Sequence, residues 1–422
     1  IDEVTPPGGG VLDLFAGSNS VGQYLMKDYT VYSNDYQAYS YIAARALIEH
    51  HAPEIIRRLH SEIVFGEFYR QNLTALEQIF EQPLHTEAAL LDTVGECYYG
   101  EVFDQFADFY NTSPYYGSTE GKHTAYRSCL HYYTEEAISV YKANPTTFPY
   151  LLFTTYYANP YFSLRQCVEI DSIRYSLDQL LAAGSISQEE HTIYLSFLIY
   201  SLNLIVTSVG DHFAQPQKIK DVSADFSSKR DSINLRERKK IIGKKRTSVT
   251  GLYREKLEDY KANYRCGQPG NMAFHMDFKM LLQSPELERL AIHTVYIDPP
   301  YTNAHYSRFY HIPETLVLYD YPDIEFFGRY RTDRYQSGFC IKSQAKEEFR
   351  LMLHLLREHR YNAVISYSDT AQCMLSIDDI SELCEEYYGA HVLFQNVAHM
   401  YRNFGQKPNK VLAKEYIITC YI

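Results

Sequence analysis

The chain has 422 residues, 45% of them hydrophobic, and a net charge of −12 at pH 7, which is enough apolar content for one large or two ordinary folded domains. No run of eighteen apolar residues occurs, and the opening IDEVTPPGGG lacks the basic and apolar regions of a secretory signal, so the expectation is a cytoplasmic protein with no membrane span. Eight scattered cysteines, with no C-x-x-C pair and no histidine at ligand spacing, predict reduced thiols and no metal centre. The first residue is Ile rather than Met, so an upstream segment is expected to have been removed.

In chain order, VLDLFAGSNSVGQYLM reads as a buried strand over 11–14, a turn of small residues over 16–20 and a helix start. TVYSNDYQAYSYIAARALIEH then gives a second strand ending at an acid, Asp35, followed by a helix. Strand, glycine turn, helix, strand and acid open a nucleotide-binding α/β unit.

The rhythm stops near residue 50, and 51–265 reads as a mainly helical insertion. Ile170, Ile173, Leu177, Leu180 and Leu181 share a helical face, and Ser187 with Glu190 has the spacing of a capping box. Tyrosine is abundant, with 41 residues and no Trp, which suits base stacking and ordinary amphipathic packing equally. From Lys218 to Lys256 thirteen basic residues face five acids, leaving the remainder at −20, so the local field there favours a polyanion although the whole chain is acidic. The alternative for this stretch is a solvated charged face.

Strand signals return in NMAFHMDF (271–278), TVYIDPPY (294–301) and YNAVISYSDT (361–370). HVLFQNVAHMY and EYIITCYI read as a closing antiparallel hairpin. The predicted architecture is one α/β sheet, contributed by 1–50 and 266–422, split by the insertion that carries the basic segment 218–256.

Two stretches carry chemistry. In DLFAGSNSVG, Asp13 ends a strand and Gly17 lets backbone approach a ligand closely, but only Gly17 and Gly22 fit G-x-G-x-x-G. A ligand without phosphates, drawn by a carboxylate, is therefore favoured over a pyrophosphate, and Asp35 is placed to accept ribose hydroxyls. In TVYIDPPY, Asp298 projects from a strand's carboxyl end, Pro299 and Pro300 give up N–H groups and present rigid carbonyls, and Tyr301 adds a flat face. Acceptors beside a stacking face suit a planar ring bearing an exocyclic amino group.

DLFAGSNSVG, NDYQAYS, HMDF and DPPY, in that order around a long insertion, resemble the motifs of the amino-methylating DNA methyltransferases of the alpha, Dam-like group. SNDYQAYS, YYANPYFSLRQCVEIDSIR and DPPYTNAHYSRFYHIPETL resemble its FokI-like branch. The resemblance implies a class I methyltransferase fold, Rossmann-like, with a seven-stranded sheet ending in an antiparallel hairpin and the helical insertion as target-recognition domain. It implies S-adenosylmethionine as methyl donor, held by Asp13, Phe15, Ala16, Gly17, Ser18, Asp35, Asp277 and Phe278, and Asp298, Pro299, Pro300 and Tyr301 as the catalytic motif acting on N6 of a flipped adenine. For Asp277 alone, capping a helix before KMLLQ is the competing role. Asn19 stands in FAGSN where a second glycine is usual, and no Gly-Ser-Lys-like motif precedes Val11.

Double-stranded DNA is the implied partner, with Arg230, Arg236, Arg238, Lys239, Lys244, Lys245, Arg246 and Arg308 as candidate contacts, the arginines of RYRTDR (329–334) as further ones, and Phe309 as a second aromatic wall or a core residue. A restriction–modification or phage-defence setting, with partner subunits, is expected. The competing readings are a cytosine-N4 or RNA adenine methyltransferase, and a DNA-binding or assembly subunit that no longer turns over.

Overall fold

The computed structural model describes residues 1–95, 98–118, 123–219, 229–370, 372–401 and 411–422; for residues 211, 229, 230, 397–401 and 411–414 only the backbone is described. The chain forms two units, one of Ile1–Glu54, Arg265–Phe309 and Arg334–Ile422, the other of Ile55–Tyr264 and Tyr310–Asp333.

In the first unit the apolar runs become strands: β1 (Gly10–Asp13), β2 (Thr30–Asn34), β3 (Met272–Phe274), β4 (Ile292–Ile297), β5 (Asn362–Asp369), β6 (Val392–Tyr401) and β7 (Val411–Cys420). They form one sheet in the order β3-β2-β1-β4-β5-β7-β6. The first five run parallel, and β7 lies antiparallel between β5 and β6, with Ile365 opposite Ile418. Side chains alternate across the pleat. Leu12, Val295, Ile297 and Ile365 pack on one face against Phe349, Met352, Leu353 and Leu356 of the helix Ala345–Glu358, while Val11 and Val31 pack on the other against Leu25, Ala44 and Ile48. The sheet and its hairpin are those of the class I methyltransferase fold. Because chain order reverses between β1 and β4, the carboxyl ends of these adjacent strands open a crevice where such sheets bind ligands.

The second unit is helical. Leu164–Ala182 and Gln188–Ile205 both begin with complete capping boxes, Ser163 with Gln166 and Ser187 with Glu190. Ile170, Ile173, Leu177 and Leu180 are buried, and Leu181 is half-buried. Here many tyrosines are packing residues. Tyr156, Tyr161 and Tyr253 are almost wholly buried, and each hydroxyl donates to a carbonyl: Pro322 (3.1 Å), Gly328 (2.8 Å) and Tyr194 (3.0 Å). From Lys229 the described part of the basic segment forms two helices, Lys229–Arg246 and Val249–Asn263; residues 220–228 lie outside the described residues. No helix among the described residues is long and apolar enough to cross a membrane.

A buried carboxylate pins this unit. Asp171 accepts from Phe153 N (2.9 Å), Thr154 N (2.8 Å), Thr154 Oγ1 (2.7 Å) and Tyr319 Oη (2.6 Å), while burial pushes it up to about 6. Asp171→Ala strands several buried donors and is expected to cost roughly 2–3 kcal/mol, read from urea unfolding. Tyr319→Phe removes one donor and is expected to cost about 1 kcal/mol.

Candidate active site

The carboxyl ends of β1, β2 and β4 bring three acids together. Asp13 is the last residue of β1 and aligns with Ser33 and Tyr296, Asp35 follows β2, and Asp298 follows β4 directly. A cavity of about 790 Å³, counting its open mouth, lies in this unit and is lined by Phe15, Asp35, Asp277, Phe278, Asp298 and Pro300 among the sequence-predicted residues.

The glycine turn is held by its backbone. Gly17 has φ +50°, its N–H donates to Asp35 Oδ2 (2.8 Å), and its carbonyl accepts from Ser40 Oγ (2.7 Å). Gln37 N donates to Asp35 Oδ1 (2.8 Å), so the acid ties the turn to the start of the next helix. Burial raises the Asp35 carboxyl, and these N–H groups oppose that rise. Asn19 explains its own departure from glycine. It takes the left-handed conformation that Asn tolerates (φ 61°), is fully buried, donates to Ser40 O (3.1 Å) and accepts from Ser33 Oγ (2.6 Å). Its side chain thus staples a loop that glycine would leave loose.

Asp13 does not line the cavity. It is 1% exposed, accepts from the backbone of Gly22 and Phe15, and its Oδ1 has no hydrogen-bond partner. Burial first, then the charges of Asp298 and Asp35, push it up to about 8. Asp298 stands exposed at the rim, yet its carboxyl is closely surrounded; burial and then Glu415 of β7 push it up to about 7. Glu415 accepts from Ser366 Oγ (2.9 Å) across the β5–β7 pair. Both carboxyls are thus held towards the neutral form, by burial first and by neighbouring negative charge second.

Asp277 takes the capping role and lines the cavity. Its Oδ1 caps the helix Phe278–Leu282 by accepting from Lys279 N (2.9 Å), and its Oδ2 accepts from Tyr335 Oη (2.7 Å). Phe15 and Phe278 form an apolar wall with Phe339, at centroid distances of 5.2–5.8 Å.

Several predicted residues stand elsewhere. Ala16 is buried behind the turn, with its N–H on Asn34 O (2.9 Å). Ser18 is exposed and shares a hydrogen bond with Ser20. Pro299 is buried outside the lining, and Tyr301 is half-buried, its carbonyl held by Met374 N (2.8 Å) and its ring tilted on Tyr367 at 5.4 Å. Tyr36, Met276, His305, Ser307 and Tyr335 line the cavity without having been singled out in the sequence. Tyr36 follows Asp35 directly, so its position alone was a signal. Tyr335 stacks on Tyr36 at 3.9 Å from a loop that carries no motif.

The basic residues separate by burial. Lys245 is buried, donates to Asn159 O (3.0 Å) and Phe162 O (3.1 Å), and sits 4.0 Å from the Tyr110 ring centroid. Arg238 is buried, donates to Tyr98 O (2.8 Å) and lies over Phe103 at 3.6 Å. Both are spent inside the helical unit and are withdrawn as phosphate contacts. Arg329 and Arg331 are buried too, and Arg331 makes a bidentate pair with Asp320 (2.7 Å and 2.7 Å), which removes these two. Lys244 is half-buried with its ammonium on Val206 O (2.7 Å). Arg236, Lys239 and Arg246 are exposed, and Arg236 shares a cleft with Lys218 and Lys240. Arg308 is exposed beside Phe309, which is half-buried; Arg334 is half-buried. The side chain of Arg230 lies outside the described residues.

Residues 1–150 match the family model of the D12 class N6 adenine-specific DNA methyltransferases. The chain is similar to the modification methylase LlaI of Lactococcus lactis subsp. lactis, 24% identical over 89% of this chain and 44% of that protein. It is also similar to the type II methyltransferase M.FokI of Planomicrobium okeanokoites, 23% identical over 97% of this chain and 48% of that protein, and to the modification methylase StsI of Streptococcus sanguinis, 22% identical over 89% and 42%. The resemblance read from the motifs, FokI-like branch included, is borne out. The chain spans about half the length of these relatives or less. No solved structure gives a significant match.

Proposed function

We propose, taking the adenine-methyltransferase match as premise, that this chain is a site-specific DNA methyltransferase that moves a methyl group from S-adenosylmethionine to N6 of an adenine turned out of duplex DNA, in a restriction–modification setting. The observation that carries this reading is the acid of DPPY at the mouth of a cavity that also holds Asp35, Asp277, Phe15 and Phe278.

The residues present fit the methyl donor. Asp13, with an orphaned buried oxygen and a raised pKa, calls for a positively charged partner. Asp35 keeps lone pairs free for ribose hydroxyls after accepting two N–H bonds, and Phe15, Phe278 and Asp277 offer apolar walls and an acceptor to an adenine ring. When bound, S-adenosylmethionine supplies an electrophilic methyl group. The task of the chain is to orient N6 and stabilise the positive charge that develops on it. Asp298 and a prolyl carbonyl accept the amino hydrogens, which turns the nitrogen lone pair outward. Pro299 and Pro300 hold those acceptors rigid, and Tyr301 fixes the loop through Tyr367 and Met374. A base inside a stacked duplex is out of reach of such a cavity, so flipping is part of the reading.

Exposed Arg236, Lys239, Arg246 and Arg308, with half-buried Lys244, are the proposed phosphate contacts. Neutralising Arg236, Lys239 or Arg246 is expected to lower the slope of log affinity against log salt by about 0.9 per charge on duplex DNA. Lys245→Met is expected to leave that slope unchanged and to lower the melting temperature instead.

The reading is tested by incubating the protein with labelled S-adenosylmethionine and bacterial DNA, then mapping modified bases by single-molecule sequencing. Label at N6 of adenine within one recurring sequence is the expected result. Absence of both label transfer and cofactor binding by calorimetry sinks it.

A further inference from the structure

Between the catalytic motif and SRFYH lies TNAH, whose last residue has no assigned role. His305 lines the same cavity as Asp298 and Pro300. The backbone on either side of it is held: Ala304 N donates to Thr302 Oγ1 (3.3 Å), Arg308 N donates to His305 O (3.0 Å), and Ser307 Oγ donates to Tyr335 O (2.5 Å). The imidazole is therefore placed by the same loop that places the motif.

Its Nδ1 is buried and has no hydrogen-bond partner. A buried ring nitrogen in that state is unfavourable unless something pairs with it. Burial, then the cations of Arg334 and Arg308, hold the imidazole below its usual pKa and so neutral, with one nitrogen donating and the other accepting. This complements Asp298. A carboxylate at that position accepts the hydrogens of an amino group but offers nothing to the ring nitrogens beside it. A neutral imidazole supplies the missing donor. Adenine presents an amino group flanked by two acceptors, N1 and N7, so an acceptor and a donor lining one cavity match two adjacent features of that ring.

The geometry points to His305 as a base-recognition residue that donates a hydrogen bond to a ring nitrogen flanking the amino group of the flipped adenine. This inference rests on the methyl-transfer reading and adds the group that recognises the ring.

The experiment measures single-turnover transfer to duplexes carrying adenine, 1-deazaadenine or 7-deazaadenine at the mapped target, for the wild type, His305→Ala and His305→Gln. With the wild type, one deaza analogue is expected to lose roughly 10- to 100-fold. With His305→Ala, adenine itself loses that much and the same analogue loses nothing further, while affinity for S-adenosylhomocysteine by calorimetry stays within twofold. His305→Gln, which keeps an amide donor, is expected to recover part of the rate and shows that the alanine effect is not misfolding. Equal losses on the deaza analogues in the wild type and His305→Ala, or wild-type rates for His305→Ala, overturn the inference while leaving the methyl-transfer reading intact. No transfer by the wild type to any adenine duplex overturns that reading, and this inference with it.

Discussion

Asp298→Ala is expected to lower single-turnover methyl transfer by at least about 10³-fold while DNA affinity stays within about twofold, because the lost group acts on charge that appears only in the transition state. The geometry separates the two effects. Asp298 is exposed at the rim beyond β4, and the strand behind it is held by Val295 and Ile297, which are fully buried and untouched by the change. Asp298→Asn keeps an acceptor oxygen and loses the charge, so its loss is expected to be smaller, about 10²-fold. The carboxyl is raised to about 7 by burial and by Glu415, and the proposed mechanism uses the carboxylate. Wild-type transfer should therefore rise with pH through about 7, and the Asn variant should lack that limb. An equal loss of transfer and DNA affinity in Asp298→Ala would mean that the acid holds the fold rather than the reaction.

Asp13→Asn is expected to weaken binding of S-adenosylmethionine by about 100-fold, and of S-adenosylhomocysteine, which keeps the ammonium group but lacks the sulfonium charge, by less, because the proposed role of Asp13, buried and outside the cavity lining, is to answer the ligand's positive charge. The pH dependence follows from the raised pKa. The folded value of about 8 lies above the ordinary 3.8, so the fold prefers the neutral carboxyl. Its contribution to stability is complete below about 4 and is lost as pH rises through about 8. In the ligand-free protein, the melting temperature of Asp13→Asn should gain on that of the wild type across this range. A cation brought beside the carboxyl lowers its pKa, so wild-type binding of S-adenosylmethionine at neutral pH should release up to about one proton. Calorimetry in two buffers of different ionisation enthalpy reads that release. Identical release by Asp13→Asn would show that Asp13 is not the group responding to the ligand.

The sheet was legible because its signals are local. A run such as VYI followed by an acid is a buried strand with a charge at its tip, whatever surrounds it, and parallel pairing then carries the tips of β1, β2 and β4 to one edge. Asp35 was legible for the same reason: it sits one residue past a strand, where its oxygens meet the N–H groups of Gly17 and Gln37. For Asp277 the residue alone left a cap and a ligand contact as rival roles, and the structure gives one oxygen to the cap and the other to Tyr335.

The basic segment was legible only as a density of charge. Whether a lysine on a helix meets water or carbonyls depends on what packs against that face, and Lys245 meets Asn159 and Phe162, more than eighty residues away in sequence. Arg238 was consumed in the same way by Tyr98 and Phe103, while Arg236 and Lys239, on the same helix, stayed outside. By itself the sequence determined the order of strands, the acids at their tips and the resemblance they support, since strand period, turn chemistry and tip residues are properties of neighbours along the chain. Only the tertiary structure decided which charges are spent internally and that Tyr335 and His305 enter the cavity, because burial and partnership are set by residues that the chain brings together from far apart.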